Sequence, residues 1–129
     1  MKRTKQLLVR NLFRALAVFF TVVITIGSLT RIDDNPLSQF ELSDKLVHVG
    51  AYGVLCMSWL LARFSYRNKP IYPLIMALLV FAYGIVIEVF QHIGTSHRQA
   101  DWYDLLANLT GILLAMALYN LIFRPKNVN

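Results

Sequence analysis

Glu88 stands in a stretch, Ile71 to Ile93, that is otherwise almost wholly apolar. A carboxylate facing lipid there would cost at least about 2.5 kcal/mol, so Glu88 is expected to face protein or a water-filled pocket. A carboxyl in such a place suits proton binding or general-base chemistry. Other polar residues recur at helical spacing around it. Asp44, His48 and Tyr52 follow at i, i+4 and i+8 with Lys45 beside them, and Gly84, Glu88, Gln91 and His92 share another face. Asp101, Asp104 and Asn108 follow at i, i+3 and i+7. At 1.5 Å per residue, His48 lies about 6 Å below Asp44, Glu88 about 9 Å beneath Gly94, and Asn108 about 6 Å inside the start of its helix. The spacing therefore predicts that His48, Glu88 and Asn108 meet at one depth.

Several chemistries fit these residue types. His48 is either the proton partner of Glu88 or a neutral histidine that satisfies it, and the structural alternative for Glu88 is an interhelical hydrogen bond. Lys45 and the guanidinium fork of Arg98 suit a phosphate or carboxylate of a ligand. Asp44, Asp101 and Asp104 either cap helix N-termini or orient those basic side chains. A zinc site from His48, Glu88 and His92 lacks a complete ligand motif, so neither a metal nor a cofactor is expected. Serine catalysis has no clear base, since Ser43 reads as a cap and Ser96 as a loop residue. The single cysteine, Cys56, cannot form an intramolecular disulfide and reads as a packing residue.

The elements that must position these groups follow from composition. Of 129 residues, 57% are hydrophobic and 16% charged, too little polar surface for an ordinary soluble domain. Four apolar runs, Leu12 to Leu29, Leu46 to Phe64, Ile71 to Ile93 and Leu105 to Phe123, are each long enough to cross the hydrocarbon, the first with Arg14 snorkelling outward. Their short connections leave no room for a soluble domain. The expected fold is all-α, one domain over residues 1–129 forming a four-helix transmembrane bundle. Pro73 and Gly94 suit the start and end of the third helix, and Asp101 with Asp104 resembles a capping box for the fourth.

Charge sets the direction. Lys2, Arg3, Lys5, Arg10, Arg14, Arg63, Arg67, Lys69, Arg124 and Lys126 all fall on one side of the predicted membrane, so that side and both termini are expected to be cytoplasmic. Arg31, Lys45 and Arg98 lie on the other side with Asp33, Asp34, Glu41, Asp44, Asp101 and Asp104. Insertion topology accounts for the net charge of +6, and nucleic acid is discarded as a partner. The alternative for the first run is a cleaved signal peptide, for which Ile26 is a poor residue three places before the cut.

The set Asp44-Lys45-x-x-His48-x-x-x-Tyr52, Glu88-x-x-Gln91 and Arg98-x-x-Asp101-x-x-Asp104-x-x-x-Asn108-x-x-Gly111 resembles the VanZ-like family of small membrane proteins, over Asp44 to about Leu118. The tract between Gln91 and Arg98, with His92 and His97, is where the chain is expected to differ from its relatives. The resemblance implies a multi-pass protein of the bacterial plasma membrane associated with the cell envelope, since the family's namesake is associated with low-level resistance to the glycopeptide teicoplanin. It implies no known reaction. It marks Asp44, Lys45, His48, Tyr52, Glu88, Gln91, Arg98, Asp101, Asp104 and Asn108 as the positions to test.

Three functions follow as expectations. The first is a binding or accessory protein whose outward-facing polar pocket engages membrane lipid or a lipid-linked cell-wall precursor, or alters how a glycopeptide reaches its target. The second is an intramembrane enzyme on a phospholipid or undecaprenyl-linked substrate, with Glu88 or His48 as the catalytic acid/base. The third is a proton-coupled transporter or flippase, which clustering of polar groups in the outer half disfavours. Small residues every fourth position, Ala107, Gly111 and Ala115, allow close helix approach and homo-oligomerisation.

Overall fold

A computed structural model of the chain describes residues 1–30, 41–62, 71–94 and 101–123. These form four α-helices: α1 (Lys2–Leu29), α2 (Glu41–Ala62), α3 (Tyr72–Gly94) and α4 (Trp102–Phe123). All four are long and apolar enough to cross a membrane, and no strand occurs among the described residues. The all-α expectation therefore holds.

The helix limits differ from the apolar runs in an instructive way. α1 begins ten residues before Leu12, because Lys2 to Asn11 is rich in lysine, arginine, glutamine and leucine, all good helix formers. An apolar run marks the lipid-contacting length of a helix and not its ends. α2 likewise starts at Glu41 instead of Leu46, with acidic residues in its first turn where the helix dipole favours them. α3 begins and ends one residue later than its expected run and stops at Gly94. Arg63 and Phe64, the expected end of α2, lie outside the described residues, as does the side chain of Ser43.

α2 and α4 form the most intimate pair, and α1 and α3 pack against them. The reason is local. A Cβ on Gly111 would run into the carbonyl oxygen of Val49 and come within 2.9 Å of the Gly53 amide nitrogen, so backbone meets backbone at this crossing. The expected face of Ala107, Gly111 and Ala115 is buried here, as small residues at membrane helix crossings should be. Gly84 plays a related part on α3: a Cβ there would lie 3.0 Å from the Tyr52 ring and 3.2 Å from Asn108 Nδ2. Below these contacts Leu55, Cys56, Leu60, Met76, Val80 and Ile112 make the apolar core. Large hydrophobics such as Val54, Leu78, Leu79, Leu113 and Leu114 point outward, the arrangement lipid requires.

α1 is held partly by polar contacts that the sequence did not announce. The Tyr83 hydroxyl lies 2.7 Å from Thr25 Oγ1 and donates to the Thr21 carbonyl at 3.2 Å, while Trp59 Nε1 donates to Thr21 Oγ1 at 3.2 Å. Thr21 and Thr25 are one turn apart on an otherwise apolar face, which is the signal that identifies them in retrospect.

Candidate functional site

Lys45 is the centre of the polar groups at one end of the bundle. Its Nζ donates to Asp101 Oδ2 at 2.5 Å and to Asp104 Oδ1, and lies 3.9 Å from Asp44 Oδ2. One helix turn below, the His48 ring nitrogen Nδ1 lies 2.8 Å from Asn108 Oδ1, and Nε2 lies 4.0 Å from Asp104 Oδ2. With the Asn108 oxygen accepting, His48 Nδ1 carries the hydrogen, which in the neutral ring leaves the lone pair on Nε2. The ring stacks on Tyr52, 6.3 Å between centroids and 6° between planes, and Tyr52 in turn packs on Tyr83 at 6.2 Å.

Asp101 caps α4. Its Oδ1 accepts the Tyr103 amide at 2.9 Å, and its own amide donates to Glu88 Oε1 at 3.2 Å. In a capping box the residue three places on would reach back to that amide. Here Glu88 of α3 takes the role, and Asp104 is committed to Lys45. The box expected from Asp101 and Asp104 is thus realised across two helices, which ties the start of α4 to the last turns of α3.

Asp104 and Asn108 are each 1% exposed and Glu88 6%. The expected convergence of three helices is therefore present, with a different pairing. His48 is joined to Asn108 and Glu88 to the Asp101 amide, in place of a Glu88–His48 pair. Gln91 turns towards α1, where its Nε2 donates to the Ser28 carbonyl at 2.8 Å. Arg98, His97 and Ser96 lie outside the described residues, and His92 is exposed on the last turn of α3. The trio His48, Glu88 and His92 is accordingly not the one the fold gathers. Among the described residues the metal-type donors that meet are those of Asp44, His48 and Asp104, all within 4.8 Å of one another.

Of the buried polar side chains described, Glu88, Gln91, Asp104 and Asn108 all belong to this end, and only Ser58 lies deeper, its hydroxyl donating to the Val54 carbonyl at 2.8 Å. An apolar groove of about 360 Å³ between α1, α2 and α3 is lined by Leu55, Trp59, Met76, Val80 and Tyr83 and contains none of the ten positions singled out above. The polar end is therefore the candidate site. Chemically it presents carboxylates, one ammonium and an oriented imidazole, a set suited to binding charged groups.

The comparisons with known proteins give one match. A model of the VanZ/LLP1 family matches residues 3–124. No curated protein and no solved structure matches the chain.

Proposed function

We propose that this chain, which belongs to the VanZ/LLP1 family, is an accessory binding protein of the bacterial cell envelope whose polar end faces outward and receives the headgroup of an anionic, lipid-linked envelope component. It spans the plasma membrane with both termini in the cytoplasm, as the distribution of lysine and arginine favours. The observation that carries this reading is the convergence of Lys45, His48, Glu88, Asp101, Asp104 and Asn108 from three helices at one end of an otherwise apolar bundle. Ionisable groups at membrane helices are expensive and mark binding or transport sites by default. The site lies at the helix ends, where the half-exposed Asp44 and Asp101 would meet lipid headgroups in this reading.

Binding is favoured over proton-transfer chemistry by the pairing itself. His48 is fixed by an amide and Glu88 by a backbone N–H, so an intramembrane enzyme would have to work with one of them alone, without the other as its proton partner. A lipid-linked precursor held here would also lie on the route of a lipophilic glycopeptide to its target, which joins this reading to the teicoplanin phenotype associated with the family's namesake.

The test compares teicoplanin susceptibility of a sensitive host expressing the wild type or Glu88→Gln, with membrane levels matched by blot. Gln keeps the carbonyl oxygen that accepts the Asp101 amide and removes only the charge. Wild type is expected to raise the inhibitory concentration and Glu88→Gln to lose that protection. Equal protection by both would remove Glu88 from the site, and protection by neither would overturn the glycopeptide role.

A further inference from the structure

We infer that Asp44, His48 and Asp104 form a binding site for a divalent transition-metal ion, zinc being the best fit to one imidazole nitrogen and two carboxylate oxygens. The donor atoms already lie within 4.8 Å of one another, and His48 Nε2 is 4.0 Å from Asp104 Oδ2. Two ligands on a tetrahedral zinc stand about 3.3 Å apart at the usual bond lengths, so small side-chain rotations close the set. In the neutral ring the Nε2 lone pair and the Asp104 oxygen face each other at 4.0 Å, too far apart for a hydrogen bond and suitably placed to share a cation.

The surroundings have the form of a metal site. Asn108 accepts from His48 Nδ1, fixing the ring and its tautomer so that Nε2 is the ligand nitrogen, as outer partners of metal-bound histidines do. Asp104 divides its oxygens, Oδ1 to Lys45 and Oδ2 to the His48 side. Asp44 is the more exposed member and gives the site an entrance, leaving a fourth position for water or a phosphate oxygen. Charge agrees. Three carboxylates converge within 4.0 Å of the Lys45 ammonium, a grouping that favours cations.

The ion also resolves a difficulty in the function proposed above. Lys45 is already engaged by carboxylates, and a metal with an open position would give a phosphate a further positive partner. That role rests on the envelope-binding reading; the metal site stands on donor geometry alone.

The experiment uses the full chain, its purification tag removed, stripped with EDTA in detergent micelles and titrated calorimetrically with zinc chloride. Cobalt(II) visible absorption reports the coordination geometry. The expected result is one equivalent of zinc per chain and a tetrahedral cobalt spectrum. Asp44→Asn should weaken zinc at least about tenfold and His48→Gln should abolish binding, whereas His92→Ala should bind as wild type does. Asp44 is half-exposed, so its variant keeps the test informative if His48→Gln fails to fold. Absence of zinc binding by the wild type, or equal binding by the wild type and Asp44→Asn, would overturn the site. Phosphatidylglycerol retained per chain is then measured with zinc and with EDTA. Zinc binding without metal-dependent lipid retention would sink the headgroup role and leave the metal site standing, while lipid retention without zinc binding would sink the metal site alone.

Discussion

Replacing Asp104 by Ala is expected to destabilise the protein by about 3 kcal/mol, measured by reversible unfolding in mixed micelles, because it removes a buried carboxylate from an ammonium that the fold has already partly desolvated. Asp101→Ala should cost less, about 1 kcal/mol, since that side chain is 40% exposed and the contact is screened by solvent. The double replacement Lys45→Met with Asp104→Leu separates structure from function. Removing both members of a buried pair in favour of apolar groups is often neutral or stabilising, so this variant should recover most of the stability lost in Asp104→Ala. It should nevertheless lose the envelope phenotype. A variant that is stable and still protective would show that the pair serves only to hold α2 to α4.

Gly111→Ala is expected to be nearly as damaging, at about 3 kcal/mol, the upper end of what overpacking usually costs. The added methyl would meet the Val49 carbonyl and the Gly53 amide, and backbone atoms cannot rotate aside as a side chain can. The two helices must separate, and they carry Lys45 and His48 on one side and Asp101, Asp104 and Asn108 on the other. The effect should therefore reach the site: loss of stability accompanied by loss of the His48–Asn108 contact, readable as a shift in the histidine ring resonances. Gly50→Ala on α2 is the control, because no atom lies within 4 Å of its added Cβ, and it should change little.

Much of the molecule was legible before any coordinates. The four spans followed from apolar length, and the convergence of α2, α3 and α4 followed from polar residues placed at one depth by a 1.5 Å rise. Ala107, Gly111 and Ala115 announced a close crossing, although their partner, Gly53, did not stand out because Gly50 stands three residues before it and the sequence does not say which of the two faces α4. Pairing was less legible. Depth alone places His48, Glu88 and Asn108 together, but azimuth decides which of them touch, and azimuth is set by the α2–α4 crossing at Gly111. Gln91 shows the same limit: it shares a face with Glu88 in projection, yet the rotation of about 60° between positions three apart carries it to Ser28 on α1. Helix starts were misplaced where polar segments, Lys2 to Asn11 and Glu41 to Lys45, continue the helix beyond the apolar run.

All functional readings depend on the polar end opening to the outside of the cell. Trp102 begins α4 beside the site and is 79% exposed, while Cys56 is fully buried and silent towards bulky thiol reagents. Trp102→Cys should therefore be labelled by a membrane-impermeant maleimide in intact cells, and Lys2→Cys only after permeabilisation. Labelling of position 2 in intact cells, with position 102 protected until the membrane is opened, would invert the topology and contradict the account.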